Sequence, residues 1–249
     1  MTDRMTDDMS RRQAESSRCM GCGVPFCQAG AVFHGKRLGC PLHNLIPEWN
    51  DMLSRGNVEH ALSRLLKVNC FPEFTGRICP AFCKRACVLG ENGSPVEIRD
   101  NELFIIEFAF EKGLMLPQPP ETRSGKTAAV IGGGPAGMAA AWYLNRRGHT
   151  VTVYDAGQEP GGQLLSIPDG RLPAEIVRRR VRLMEEEGVA FRCGVTAEPE
   201  ALAAEYDTVV LCTGPASKKE NLVVLAIAEG KRRAAEADTE LMGFTSIEI

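Results

Sequence analysis

The stretch "AAVIGGGPAGMAAAWYLNRRGHTVTVYDA", residues 128–156, decides the fold of the second half of the chain. A short apolar run leads into Gly132-x-Gly134-x-x-Gly137, a helical pattern follows, and a second apolar run ends at Asp155. The glycines permit a tight turn and the close approach of a pyrophosphate, while the helix N-terminus supplies free N–H groups and a partial positive charge. Because an acidic residue at this distance is typical of one that binds an adenosine ribose, the stretch predicts dinucleotide binding.

The same alternation of short apolar runs and helical patterns continues to the end of this region. Strands are predicted over 127–131, 150–154, 189–192 and 208–212, and helices over 135–147 and 174–187. Such βαβ order predicts a parallel sheet covered by helices.

The first half of the chain has a different pattern. Residues 46–66, broken near Gly56, and residues 101–112 are amphipathic and predict helices. The segment 116–125 is rich in proline and polar residues, which is typical of a linker. We therefore expect a mixed fold with the following parts: a flexible N-terminus over 1–15, a helical domain over 16–115, the linker over 116–125, and an α/β domain over 126–249 with a terminal helix over 220–243.

Composition excludes several classes of protein. The 249 residues carry a net charge of −3, from 29 basic and 32 acidic side chains, so no broad basic face for nucleic acid is expected. The chain has no apolar run of about 18 residues and a polar N-terminus, which predicts no membrane span, no secretory signal and a cytoplasmic location. Disulfides are rare there, yet eight of the ten cysteines lie between Cys19 and Cys87, which indicates metal binding.

Cysteine spacing narrows the kind of metal site. The two groups are Cys19-x2-Cys22-x4-Cys27-x12-Cys40-Pro41 and Cys79-x3-Cys83-x3-Cys87. Soft sulfur ligands select zinc or iron–sulfur clusters. The first pair fits a zinc module, but the other spacings are irregular, no histidine has zinc-finger spacing, and proline after a cysteine is typical of ferredoxin-like segments. Iron–sulfur is favoured. Seven cysteines are one short of two four-ligand sites, so either Cys70 or a residue other than cysteine would be the eighth ligand.

Three segments of the cysteine-rich region resemble a known family. They are "RCMGCGVPFC" (18–27), "GCPLHNLIPEWND" (39–51) and "FPEFTGRICPAFCKRACVLG" (71–90). They are similar to the N-terminal domain of the small subunit of NADPH-dependent glutamate synthase, and to parts of dihydropyrimidine dehydrogenase and of ferredoxin:NADP transhydrogenase large subunits.

This resemblance implies two [4Fe–4S] clusters with interleaved ligands. The first cluster would be held by Cys19, Cys22, Cys27 and Cys87. The second would be held by Cys40, Cys79, Cys83 and an oxygen ligand that matches Glu102. The alternative for Glu102 is an ordinary first-turn glutamate that favours the helix dipole. Cys70 would be a buried thiol.

Two later segments resemble the flavin domain of the same family, namely "EPGGQLLSIPDGRLP" (159–173) and "YDTVVLCTGPA" (206–216). In that family they lie along FAD and close its site; the alternative is that the glycine pair in the first segment only forms a turn. The resemblance implies FAD contacts at Gly132, Gly134, Pro135, Ala136, Gly137, Asp155, Gly162, Gln163, Leu164, Arg171, Thr213, Gly214, Asn221 and Leu222. Cys212 is interpreted as a strand core residue, not a redox thiol.

A pyridine-nucleotide domain is expected after residue 214 in the resembled family, with its own glycine fingerprint. Here the sequence passes from Pro215 through "ASKKE" to "NLVVLAIAEG", and no second fingerprint follows. We therefore predict that the chain does not bind NAD(P)H directly. The terminal helix, with Asn221 as N-cap and Gly243 as its stop, would direct its N-terminus at the flavin.

The resemblance implies an electron-transfer subunit that passes electrons between FAD and two [4Fe–4S] clusters, to or from one or more partner oxidoreductase subunits. It is not expected to oxidise NADPH alone. The four histidines are scattered and no Ser/His/Asp set stands at a recognisable motif, so no catalytic residue is predicted. The alternatives are an iron–sulfur scaffold without flavin, a zinc-binding interaction module, and a non-functional deletion product.

Overall fold

The computed structural model describes residues 3–214 and 222–248. The chain divides into two compact units, and the boundary lies between Met115 and Leu116.

The first unit is mainly helical. Its helices are α1 Asp3–Ser17, α2 Ile46–Ser54, α3 Val58–Leu66, α4 Pro72–Ile78, α5 Phe82–Arg85 and α6 Ile98–Glu111. A small antiparallel hairpin joins β1, Ala31–Phe33, to β2, Lys36–Leu38. Short 3-10 turns occur at Phe26–Gln28 and Val88–Gly90. Long loops therefore separate the helices around the cysteines, which gives the thiols room to converge.

The core of the first unit lies between its helices and is built from large apolar side chains. Fully buried examples are Trp49, Leu53, Leu65, Phe71, Phe74, Ile105 and Ile106. The predicted break near Gly56 is present, because that glycine adopts a left-handed conformation (φ +77°) between α2 and α3. The helix predicted from residue 101 starts three residues earlier, at Ile98.

The N-terminus differs from the expectation of a flexible segment, because residues 3–15 form most of α1. Its polar side chains find partners in the same unit. Arg12 donates to Asn101, and the Glu15 carboxylate accepts the N–H of Glu97 at 2.9 Å. The polar composition predicts a flexible segment because it does not reveal these partners, which are more than 80 residues away in sequence.

The second unit is built on a four-stranded parallel sheet. The strands are β3 Thr127–Ile131, β4 Thr150–Asp155, β5 Ala190–Cys193 and β6 Thr208–Leu211, in the order β5-β4-β3-β6. The helices are α7 Pro135–Arg146, α8 Ala174–Glu186, α9 Pro199–Leu202 and α10 Val223–Met242. The predicted mixed fold is confirmed, with a helical domain followed by a Rossmann-like α/β domain.

Helix α10 packs closely on α7. A Cβ atom at Gly230 would overlap the carbonyl oxygen of Ala136, so only glycine allows this approach. Farther along α10, Asp238 is fully buried and accepts hydrogen bonds from Arg147 Nε and His149 Nε2, both at 2.8 Å. His149 is thus a packing residue. Gly243 ends the helix in a left-handed conformation, as predicted.

The segment 116–125 is attached to the second unit and is not a free linker. Arg123 Nη1 donates to Asn145 Oδ1 at 2.7 Å and to the carbonyl of His149 at 2.9 Å. Ser124 Oγ lies 2.8 Å from His149 Nδ1, and the N–H of Gln118 donates to Glu187. The proline and polar residues of this segment predict a linker, but its polar groups form hydrogen bonds to the second unit.

Within residues 3–214 and 222–248, no helix combines the length and the apolar character needed to cross a membrane.

Candidate functional sites

The first group of cysteines lines one cavity in the first unit. Cys19, Cys22 and Cys27 lie on the loop between α1 and β1, and Cys87 follows α5. All four line a cavity of about 420 Å³, a volume that includes its opening to solvent. Residues more than 60 positions apart in sequence thus converge on a single space.

Electrostatics also shows that these thiols are neighbours. Burial, together with the nearby Cys19, Cys87 and Cys22, raises the pKa of Cys27 to about 12. Burial likewise raises the pKa of Cys19, with added contributions from Cys22 and Cys87. A bound metal cation would favour the thiolate form and so lower these pKa values, since thiolates are the form that coordinates metal.

The second group lies on different elements of the same unit. Cys40 follows β2, Cys79 ends α4, Cys83 lies in α5, and Glu102 lies in α6. Burial is the main cause and Glu102 a smaller one of the raised pKa values of Cys40, about 11, and Cys79, about 12. Burial also raises the pKa of Cys83, and Cys40, Glu102 and Cys79 act on it in the same direction.

Glu102 is held in a fixed orientation. It is 7% exposed, and Asn69 Nδ2 and Thr75 Oγ1 both donate to its Oε1 atom at 2.6 Å. Burial raises its pKa to about 7, although these two hydrogen bonds oppose the shift. In the first turn of α6 the acidic residue is Asp100, so the dipole alternative does not describe Glu102.

The two groups are adjacent and separate. The N–H of Cys40 donates to the carbonyl of Cys27 at 2.7 Å, which joins the second group to the first through the backbone. Backbone N–H groups also point at the sulfur atoms, since Gly21 lowers the pKa of Cys19 while Asn44 and Leu42 lower that of Cys40. Hydrogen bonds of this kind stabilise thiolates and tune iron–sulfur clusters.

Cys70 is fully buried, as predicted. Within the part of the chain that the structure describes, there is no set of three or more His, Cys, Asp or Glu residues that could hold a single metal ion.

The glycine fingerprint of the second unit connects β3 to α7. A Cβ atom at Gly137 would overlap the carbonyl oxygen of Gly132, and one at Gly132 would lie 2.7 Å from the carbonyl oxygen of Cys212. A Cβ atom at Gly134 would meet nothing within 4 Å. Two glycines are therefore required by the fold itself, whereas Gly134 borders open space immediately before Pro135 and Ala136 start the helix.

Asp155 fixes the fingerprint loop at the end of β4. Its Oδ2 atom accepts the N–H of Gly133, and its Oδ1 atom accepts the N–H of Gly157 at 2.7 Å. The carboxylate is half-buried. It thus lies where the sequence predicts the ribose-binding acid, and it also anchors two backbone turns.

The segment 159–173 folds back over the fingerprint. The N–H of Gly161 donates to the carbonyl of Gly133 at 2.8 Å, and a Cβ atom at Gly162 would lie 3.1 Å from Gly134 Cα. Gln163 is exposed and Leu164 is buried, 2% exposed. The glycine pair therefore does more than form a turn, because it brings this segment against the loop.

The other predicted FAD contacts lie at different places in the second unit. Thr213 and Gly214 are exposed and follow β6 directly, and Thr213 N would be 3.2 Å from a Cβ atom at Gly132. Arg171 is exposed. Asn221 lies outside the described residues, while Leu222 occupies the N-cap of α10.

Three polar residues near the thiols were not foreseen from the sequence, namely Asn50, Asn69 and Thr75. Each is at most 3% exposed. The sequence gives only a weak indication of them, because each is a polar side chain at a position where the surrounding pattern predicts an apolar one.

Two family models match the chain. The model described as dihydropyrimidine dehydrogenase domain II, 4Fe-4S cluster, matches residues 2–114. The model described as NAD(P)-binding Rossmann-like domain matches residues 130–192.

Curated relatives match both units together. The chain is 46% identical over 224 residues to the glutamate synthase [NADPH] small chain of Bacillus subtilis, covering 88% of this chain and 45% of that protein. It is 45% identical over 235 residues to the corresponding small chain of Mycobacterium tuberculosis, covering 92% and 46%. The glutamate synthase [NADH] of Schizosaccharomyces pombe is 44% identical over 218 residues, covering 85% and 10%. The chain is therefore homologous to glutamate synthase small chains, and it spans about half their length.

Proposed function

We propose that the chain is an electron-transfer subunit that carries two [4Fe–4S] clusters in its first unit and FAD in its second. The observation that supports this most strongly is the sorting of the predicted ligands in the first unit. Three thiols that are scattered in sequence lie near enough to Glu102 for these groups to affect the pKa of Cys83, and four other thiols line a separate cavity. When bound, such clusters transfer single electrons and a flavin transfers one or two.

Each group fits a four-ligand cluster by the chemistry of its donors. Cys19, Cys22, Cys27 and Cys87 would hold the first cluster in a cavity whose other walls are largely apolar. Cys40, Cys79, Cys83 and Glu102 would hold the second. Raised thiol pKa values mean that loading must release protons, since the thiolate is the ligand.

The second unit would hold FAD along the fingerprint. Gly134 leaves space for a pyrophosphate at the start of α7, where free N–H groups and the helix dipole favour an anion. Gly162 borders that space and is followed by the exposed Gln163, while Thr213 and Gly214 follow the neighbouring strand. Asp155 would accept hydrogen bonds from the ribose while it holds the loop.

The source of electrons would be a partner subunit. The sequence contains one glycine fingerprint, so we propose that NAD(P)H is not bound directly and that one or more oxidoreductase subunits supply or accept electrons. The bacterial relatives from Bacillus subtilis and Mycobacterium tuberculosis are small chains of glutamate synthase, which favours a large partner chain.

The test is photoreduction of the anaerobically purified full chain. Metal, sulfide and flavin are measured first, and the flavin is then reduced by light while paramagnetic clusters are followed by electron paramagnetic resonance. We expect a cluster signal to grow as flavin absorbance falls, and addition of NADPH without light to give neither change.

Other compositions would favour the alternatives. Iron without flavin would indicate a scaffold, and stoichiometric zinc without iron would indicate an interaction module. A chain that binds none of these would be a non-functional product. Rapid reduction by NADPH alone would contradict the absence of a direct NAD(P)H site.

A further inference from the structure

The cavity lined by Cys19, Cys22, Cys27 and Cys87 contains one polar side chain that its thiols do not explain. Among the described residues that line it, Asn50 is the only one with an amide, hydroxyl or charged side chain. Asn50 is fully buried on α2. A buried polar group in an apolar wall costs free energy unless its hydrogen bonds are made, so its partners are informative.

A chain of hydrogen bonds reaches Asn50 from the surface of α1. Arg12 Nη1 donates to Asn101 Oδ1 at 3.2 Å, and Asn101 Nδ2 donates to Asn50 Oδ1 at 3.0 Å. Asn50 Nδ2 then donates to the carbonyl oxygen of Ile46 at 3.0 Å. Asn101 is also fully buried, so the chain crosses the interior of the first unit.

Both ends of this chain have a fixed polarity. An arginine can only donate, which forces the oxygen of Asn101 towards Arg12 and its nitrogen towards Asn50. The Ile46 carbonyl can only accept, which requires the nitrogen of Asn50 on that side. Neither amide can be turned round without losing hydrogen bonds, and so Asn50 presents its N–H₂ group in one defined orientation.

One hydrogen of that group is left over. A primary amide nitrogen carries two hydrogens, and Ile46 accepts one. No residue in 3–214 or 222–248 accepts the second. A buried N–H without an acceptor costs about 1–3 kcal/mol, which makes it a site prepared for an acceptor inside the cavity.

We propose that Asn50 donates this second hydrogen to a sulfur of the iron–sulfur cluster in the cavity, and that Arg12 and Asn101 are positioning residues that fix the amide. The inference rests on the proposed function, since the acceptor is the cluster itself. A hydrogen bond to sulfur favours the more negative, reduced state, so Asn50 raises the reduction potential of this cluster.

A direct test uses the unmodified full chain. Protein labelled with ¹⁵N only at asparagine is reduced, and pulsed electron paramagnetic resonance measures nitrogen hyperfine coupling at the clusters. We expect a ¹⁵N coupling that disappears in Asn50→Leu. If iron and sulfide are present but asparagine nitrogen shows no coupling, the inference is overturned while the proposed function stands. If iron is absent, both fail.

Redox titration provides the second readout. Asn50→Asp keeps the side-chain shape and removes the donor; we expect one of the two cluster potentials to fall by about 59 mV or more, a tenfold change in the one-electron ratio. Arg12→Leu should give a smaller fall. Asn57→Asp is the matched control, because Asn57 is exposed and its side chain caps nothing, and it should leave both potentials unchanged. Equal potentials in Asn50→Asp and wild type would contradict the proposal.

Discussion

In the first unit the candidate ligands are side chains on loops and short helices, whereas in the second the candidate contacts are mostly backbone groups at the carboxyl ends of parallel strands. Thiols gathered by burial have raised pKa values and raise one another's, so they are unfavourable as ligands until a cation joins them. The fingerprint loop is already fixed, by Asp155 and by the contact of Gly137 with Gly132. The comparison suggests that the first unit depends on its cofactor for order and the second does not.

Removal of iron should produce the largest difference between the two units. We expect chelation to speed hydrogen exchange across the first unit by orders of magnitude, because metal-binding free energy is part of the folding free energy of such domains. Residues 127–155 should keep their protection. Equal loss of protection in both units, or in neither, would contradict the comparison.

Asp238→Asn should destabilise the second unit by about 3 kcal/mol, because it leaves Arg147 and the buried His149 without their anion. Denaturant unfolding followed by hydrogen exchange in the second unit measures this. The control is Glu159→Gln, which breaks the exposed pair with Arg178 and should change stability little. An Asp238→Asn variant with unchanged stability would show that the second unit does not depend on the contacts of Asp238 with Arg147 and His149.

Two glycine variants separate stability from cofactor binding in the second unit. Gly137→Ala should cost about 1–3 kcal/mol of stability, because its Cβ atom overlaps the backbone at Gly132. Gly134→Ala should leave stability almost unchanged, since its Cβ atom meets no protein atom, yet weaken FAD binding by crowding the pyrophosphate. Flavin titration and thermal unfolding together check the pair. Normal FAD affinity in Gly134→Ala would show that the pyrophosphate lies elsewhere.

Acid should have the smallest and most local effect. Burial alone would raise the pKa of Asp238, but hydrogen bonds from Thr245, His149 and Arg147 outweigh it and hold the pKa below the ordinary value of 3.8. Stability from this carboxylate is therefore complete above that value and is lost as pH falls through the lowered pKa. The difference in stability between wild type and Asp238→Asn should shrink below pH 3.8 and stay constant from there to neutral pH. A difference that grows on acidification would contradict a lowered pKa of Asp238.

Sequence patterns predicted the second unit better than the first, for a physical reason. Short apolar runs and helical patterns are local, so strands such as Thr127–Ile131 and the helix after Gly134 followed directly. The hairpin over 31–38 and helices α4 and α5 are too short to show a period, and they were not predicted. Asn50 and Asn69 acquire their roles only when distant helices meet, which no local pattern records.

The presence of two separate clusters is tested most directly by counting iron and sulfide in the full chain and in two matched variants, Cys27→Ser and Cys83→Ser. Each variant removes one ligand from one group. We expect about eight iron per wild-type chain and about four in each variant, with different surviving cluster signals. Loss of all iron in both variants, identical surviving signals, or zinc in place of iron would contradict two separate clusters with these ligands.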